Sequence, residues 1–305
     1  GRNSDGESIW HIFEFASGGW PACKDNDGNL NTYQWDMGDL PTVWPFERME
    51  QIRPLKGQIN RMYRDSGGPG FRRGGLGLER LWEVTAESGS LSILTSDAIL
   101  PRPGLSMGYG GALNSIRLIR DGEEITMSDI PGKVAGFPLE QGDVVVTHSS
   151  GGGGYGDPLS RPFDWVKADL DDGYISLVGA KADYGVIFAG PIIDEGASLA
   201  LRERLRDERL MLSIVQSESD HFDALGRRVT LLNSECAKLL GVRSGDIVEY
   251  VPELGIALRS WIEVSPNVGS MESPLGPRGR SILEIGEGEK IWLRTPWSFN
   301  KTKLP

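Results

Sequence analysis

The sequence predicts a mainly β protein with short helices: a glycine-rich β-sheet body with extended, polyproline-II segments, followed by a small C-terminal β-barrel-like module. Three observations lead there. Glycine supplies 41 of 305 residues, roughly twice the ~7% of average proteins, so the backbone itself is put to use. Short apolar or alternating segments recur between turn signals along most of the chain, and helical periodicity is confined to a few stretches after residue 160.

The elements follow in order. Residues 10–15 read as extended, and the Asp25-Asn26-Asp27-Gly28 string as an Asx turn, because the third acidic position and distal glutamate of a calcium loop are missing. A proline-rich stretch covers 40–54. Residues 80–84 and 90–94 are strands, the second alternating with period two. Residues 115–120 and 123–125 flank Asp121-Gly122, the pair that a type I′ hairpin turn needs. A further strand covers 143–148.

Helices come late. Pro162, Asp164 and the apolar face Phe163, Val166 and Leu170 open a ten-residue helix that Gly173 closes. Ser176 caps a second one ending near Tyr184-Gly185. The third spans 195–212, with Leu201 and Leu205 stacked at i,i+4 and a charged outer face. Beyond residue 223, 229–232, 234–241 and 245–250 spell strand, helix capped by Gly241, and strand; 282–285 and 290–294 add two more strands.

Glycine clusters at 66–70, 74–77, 108–111 and 151–156 sit among ordered-looking sequence, unlike a Ser-rich linker. Removing side chains there lets main chains lie close together.

Composition narrows the function. Net charge is -11, from 32 basic and 43 acidic residues, which repels phosphate backbones and anionic bilayers; neither nucleic acid nor membrane is an expected partner. Mean hydropathy is -0.28 and no apolar run reaches the ~18 residues of a membrane span. Cys23 and Cys236 form no CxxC pair, which fits a reducing cytoplasm. No secretory leader is visible at the start of the sequence.

Chemistry-bearing motifs are sparse. Gly151-x-Gly153-x-x-Gly156 matches a dinucleotide fingerprint, but Asp157-Pro158 follows at once and no helix can begin inside the loop, so a close-packing loop is the favoured reading. There is no GxxxxGK[ST], HExxH or GxSxG. Of the three histidines His11, His148 and His221, only His148, at a strand end beside the glycine run, has site-like surroundings; an ordinary strand-end histidine is the simpler account. Arg72 and Arg73 lie between glycine clusters. They suit either an anion or an internal salt bridge, with the salt bridge favoured. Asp157 either pins its turn or faces a ligand, turn duty being favoured.

Several strings occur together in one order: 65–77 (Asp-Ser-Gly-Gly-Pro-Gly-Phe-Arg-Arg-Gly-Gly-Leu-Gly), 142–145 (Gly-Asp-Val-Val), 151–159 (Gly-Gly-Gly-Gly-Tyr-Gly-Asp-Pro-Leu), 172–176 and 183–186. In that order they resemble the carboxy-terminal half of the hydantoinase B / oxoprolinase family, which includes subunits of N-methylhydantoinases, 5-oxoprolinase and the acetone and acetophenone carboxylases. The resemblance implies a core over 1–190, a connecting helix and linker over 191–224, and a small β-rich module over 225–305 outside the family core.

It also implies a cytoplasmic multi-subunit enzyme. ATP would be bound by a hydantoinase A-like ATPase partner subunit, a divalent metal would sit in another chain supplying the amino-terminal half of the family region, and this chain would bind neither by itself. The function so implied is ATP-dependent carboxylation of a ketone, with the ketone and bicarbonate both activated by phosphorylation. The alternatives are cyclic-amide hydrolysis of the hydantoinase or 5-oxoprolinase type, or a purely structural assembly role. Arg72 and Arg73, for an anionic group, and Gly153 and Asp157, for a close-approach loop, are the candidate substrate-cavity residues; no catalytic residue is assigned. Two features depart from the family: its amino-terminal metal motifs are not in this sequence, and 31–37 carries no histidine ahead of the first glycine cluster.

Overall fold

A computed structural model describes residues 18–31 and 45–297. The segment expected at 10–15, His11, and residues 40–44 of the proline-rich stretch lie outside the described residues. The described chain carries six helices and fifteen strands, α1 (Phe46–Ile52), β1 (Leu55–Met62), β2 (Leu78–Val84), β3 (Ser88–Leu94), β4 (Ser115–Arg120), β5 (Glu123–Ile125), β6 (Lys133–Glu140) and β7 (Val144–His148) forming the first half. After them come α2 (Phe163–Asp171), α3 (Leu177–Tyr184), the short β8 (Phe188–Ala189) and β9 (Ile192–Ile193), α4 (Glu195–Asp207), β10 (Leu210–Gln216), β11 (Val229–Leu232), α5 (Ser234–Leu240), β12 (Ile247–Val251), β13 (Leu258–Val264), β14 (Glu272–Leu275), α6 (Pro277–Leu283) and β15 (Lys290–Arg294).

The first sheet is antiparallel, in the order β1-β2-β7-β4-β5. In β2 every second residue is fully buried and the others half-buried, as expected of a central strand with one face on a core. The β4–β5 hairpin turns on Asp121 and Gly122, both at positive φ (51° and 82°), the geometry the Asp-Gly pair predicts. A two-stranded ribbon, β3 with β6, packs Leu91, Phe137 and Leu139 onto Val84, Leu118 and Val145 of the sheet.

The glycine clusters build a bundle of extended segments beside this sheet. Consecutive residues of the 151–154 run turn to different neighbours: Gly151 N–H donates to Ala112 O, Gly152 N–H to Gly75 O, Gly153 O accepts from Ala22 N–H, and Gly154 N–H donates to Tyr109 O. Gly151 and Gly154 thus address the same neighbouring segment three residues apart. That is the three-residue turn of a polyproline-II helix, which spends its hydrogen bonds on surrounding chains. Side chains are excluded because carbonyl oxygens occupy their places: a Cβ on Gly152 would fall on Trp20 O and one on Gly151 on Ser66 O.

The helical segment behaves largely as its caps predict. Ser176 Oγ accepts the Gly179 N–H at 3.0 Å, and Gly173 and Gly185 sit at φ 74° and 62°. Helix α2 starts at Phe163, after Asp157 has capped a single 3₁₀ turn at Pro158–Ser160, so no helix begins in the glycine loop. Two expectations are corrected. The third helix stops at Asp207, not 212; Leu210, Leu212 and Ile214 are buried with Met211 exposed between the first two, and this alternation places them in a strand. Residues 282–285 are not a strand but the end of α6, which Pro277 opens and Glu284 closes at φ 52°.

The final sheet runs β11-β13-β12-β15-β10-β14, with parallel pairs β11·β13 and β10·β14 and antiparallel pairs elsewhere. Its edge strands β11 and β14 approach one another, nearly closing a barrel around Leu212, Leu232, Val248, Tyr250 and Leu293. Strand β10, ahead of residue 225, is part of it.

One buried acid helps tie the barrel to the glycine bundle. Glu249 Oε1 takes Arg259 Nε at 2.9 Å and Oε2 takes Arg294 Nε at 3.0 Å. The two guanidinium groups then donate to Pro101 O, Met107 O and Gly108 O of the bundle. Glu249→Gln removes the charge that orients both arginines; we expect a loss of about 2 to 3 kcal/mol, measured as a lower urea midpoint.

Candidate functional site: a cavity at the seam of bundle and barrel

Where Arg294 crosses the seam, a cavity of about 360 Å³ opens between the two bodies. Tyr109, Pro158 and Leu159 form its bundle side, and Arg209, Trp292 and Arg294 its barrel side. Asp183, on α3, and Trp297 close one end, joined by a hydrogen bond from Trp297 Nε1 to Asp183 Oδ1 at 2.7 Å.

The cations here lie over aromatic rings. The Arg294 guanidinium lies 3.8 Å from the centre of the Tyr109 ring and 4.9 Å from that of Trp292, and Arg209 lies 4.4 Å from Trp292. Such cation–π contacts hold a guanidinium in place. Arg209 donates to Asp157 Oδ1 at 2.7 Å, so the acid that caps the turn after the glycine loop also sets the direction of a cavity cation. Burial pushes the Tyr109 phenol up, only partly offset by the nearby Arg294 and Arg209, so it stays protonated and able to donate at neutral pH. A pocket with stacked cations, a protonated phenol and aromatic walls can take a small compound carrying an anionic group beside a flat or apolar body.

Of the residues singled out from sequence, Asp157 reaches this cavity through Arg209. The other three do not line it. Arg72 pairs its main chain with Tyr155 in both directions, at 2.8 and 2.9 Å, and lays its guanidinium 4.4 Å from the centre of the Trp165 ring. Gly153 is packed inside the bundle, where a Cβ would fall on Pro103 O.

Arg73 is buried, with Nε 3.2 Å from Asp169 Oδ1. It belongs to a four-charge cluster in which Arg161 Nη2 lies 2.8 Å from Asp27 Oδ2 and 2.9 Å from Asp169 Oδ2. The Asp25–Gly28 turn therefore delivers Asp27 to an ion pair rather than ending as a simple Asx turn. Burial raises the Asp169 carboxyl and outweighs its two arginines; at Asp27 burial is overcome by the two-point contact with Arg161, and its pKa falls. Tyr184 Oη, fully buried beside these charges, has no hydrogen-bond partner among the described residues.

The signal missed in the sequence was Arg294: an apolar strand ending in arginine looks like a solvated edge until its partners are known. Among the described residues, no three His, Cys, Asp or Glu side chains gather closely enough to hold a metal ion, so the metal implied by the resemblance finds no fitting donor set there. No described helix is long and apolar enough to cross a membrane.

The model of the hydantoinase B/oxoprolinase family matches residues 1–158. The caprolactamase subunit beta of Pseudomonas jessenii is 34% identical over 61% of this chain and 31% of its own length. The acetone carboxylase alpha subunit of Xanthobacter autotrophicus is 28% identical over 68% of this chain and 31% of its own. The crystal structure of the ATP-dependent caprolactamase from Pseudomonas jessenii aligns with a TM-score of 0.49 and 26% identity over 62% of this chain and 33% of that one. The chain spans about a third of the length of the curated relatives it matches.

Proposed function

The chain belongs to the hydantoinase B/oxoprolinase family, and from that premise we propose that it is one part of an ATP-dependent, multi-subunit enzyme that carboxylates a ketone. ATP is bound by a hydantoinase A-like partner, and the metal lies in the part of the family region that this sequence does not contain. Loss of an α-proton with phosphorylation of the ketone oxygen by ATP gives a nucleophilic enol phosphate, and phosphorylation of bicarbonate gives electrophilic carboxyphosphate, turning two poor reactants into competent ones.

The observation that carries the reading is the arginine pair at the seam. Bicarbonate, carboxyphosphate and the carboxylate product are all anions, and Arg209 and Arg294 are fixed beside rings that suit the ketone's apolar part. Asp157 serves this site by aiming Arg209. Arg72 pairs with Tyr155 in the loop that carries Asp157, Gly153 ties the same loop to Ala22, and Arg73 is paired with Asp169 of α2.

A second reading is ATP-dependent opening of a cyclic amide, favoured by the 34% identity to the caprolactamase subunit. Its product also bears a carboxylate, so the cavity suits both.

Bicarbonate decides between them. In the assembled complex, ATP hydrolysis should require ketone and bicarbonate together; hydrolysis driven by a lactam without bicarbonate would establish the second reading instead. Arg209→Met should raise KM for the anionic reactant about 10- to 100-fold, the loss of one charged hydrogen bond. Unchanged turnover by Arg209→Met, Arg72→Ala and Arg73→Ala in an intact assembly would leave only a structural role.

A further inference from the structure

The first sheet carries a polar row that the cavity does not use. Register aligns four residues across four neighbouring strands: Arg61 of β1 opposite Glu79 of β2, Glu79 opposite His148 of β7, and His148 opposite Ser115 of β4. Residues directly opposite share a face of the sheet, so their side chains meet. Arg61 Nε lies 2.5 Å from Glu79 Oε2, Glu79 Oε1 lies 3.2 Å from His148 Nε2, and His148 Nδ1 lies 3.2 Å from Ser115 Oγ. Tyr63 stacks on the imidazole with ring centres 4.2 Å apart and planes 6° apart, which fixes the ring's orientation.

The hydrogen-bond roles follow from the acid. A carboxylate accepts only, so Nε2 carries the proton and Nδ1 presents its lone pair to the Ser115 hydroxyl. We propose that Ser115 is a nucleophile activated by His148, with Glu79 as the positioning residue, in a site that reacts with small activated acyl compounds such as esters and acyl phosphates. Attack of Oγ on the acyl carbon forms the Oγ–C bond as the Oγ–H proton passes to Nδ1. The leaving group departs with that proton. Water, deprotonated in turn by Nδ1, releases the acid and returns the proton to Ser115. The nucleophile–base–acid order is that of a serine hydrolase, with the two imidazole nitrogens exchanged.

The charges around the ring are Glu79 and Arg61, Arg117 from β4 with its partner Glu124 of β5, and the Tyr63 phenol. Burial lowers the His148 pKa and Glu79 opposes that, leaving the imidazole neutral at physiological pH. A neutral imidazole is the form a general base requires.

A fluorophosphonate probe tests this on the purified chain, since the Oγ–P bond forms as fluoride leaves and the modified peptide is read by mass spectrometry. Ser115 should label at least about 100-fold faster than the exposed Ser128, and the label should vanish in Ser115→Ala. The labelling rate should rise with pH through a midpoint below the ~6.5 of free histidine, and Glu79→Gln should move that midpoint lower still by removing the charge that favours imidazolium. His148→Gln should cost about 100-fold or more. Labelling of Ser115 no faster than Ser128 in the wild-type chain would overturn the proposal, whether or not the variants fold. So would an unchanged rate in a folded His148→Gln protein.

Discussion

Gly74→Ala should destroy the glycine bundle. The added Cβ would lie 1.9 Å from Gly152 O, where real contacts essentially never fall below 3.0 Å. Neither partner can yield cheaply. The obstacle is a carbonyl whose own position is fixed, because Gly152 O accepts the Gly68 N–H at 2.8 Å and the Gly152 N–H donates to Gly75 O at 3.0 Å. Overpacking a side chain against a movable side chain costs about 1 to 3 kcal/mol; with backbone on both sides we expect about 4 kcal/mol or more, a large part of a typical domain's ~5 to 15.

Two controls separate this clash from the general effects of losing glycine. Gly136→Ala, at φ 62° with open space around it, should cost only about 1 to 2 kcal/mol for the left-handed backbone. Gly196→Ala, inside α4 with nothing closer than 3.7 Å, should stabilise by up to about 1 kcal/mol. Urea melts of the three variants should rank in that order. A Gly74→Ala protein as stable as Gly136→Ala would show that the bundle can open without cost.

Arg161→Met should be the most damaging change in the charged cluster. It leaves Asp169 with Arg73 as its sole ion-pair partner among the described residues, and strips Asp27 of a two-point contact. Breaking a buried pair by removing one member costs about 3 to 5 kcal/mol; Asp27 is 31% exposed and can recover some hydration, so the lower end is expected. The effect should depend on pH with a defined sign. In the wild type, the Asp27 pKa is depressed, so its contribution is present above the unfolded value of ~3.9 and is lost as pH falls through the folded one. In the variant the buried Asp169 and the half-buried Asp27 lose the cation that favoured their charged forms, so acid relieves it. The difference between wild type and variant should therefore be largest near neutrality and shrink toward pH 4. A pH-independent difference would show that packing, not charge, is what Arg161 supplies.

Short-range signals carried much of the architecture. Asp121-Gly122 fixed a hairpin because few other pairs accept two successive positive φ values, and Ser176, Gly173, Gly185 and Gly241 fixed helix ends because capping depends on the residues within a turn of each other. The helix over 195–212 failed at its end for a physical reason. Residues 208–212 are compatible with either period, and only the neighbouring strands β14 and β15 make the alternation of Leu210, Leu212 and Ile214 the lower-energy choice.

The sites were far less legible. Arg294 and Tyr109 are 185 residues apart in the chain and meet only because the barrel docks on the bundle. Ser115, Glu79 and His148 have no common motif, and a shift of one residue in any of three strands would send a side chain to the opposite face.

By itself, then, the sequence determined the family, the glycine body and most of the turns, since these depend on residue type at close spacing and on what a missing side chain permits. Tertiary structure alone decided where β10 belongs, which arginines face a cavity, and which histidine has a serine and an acid beside it. Those outcomes depend on strand register and on the docking of one body against another, and both are set by contacts between residues that the chain keeps far apart.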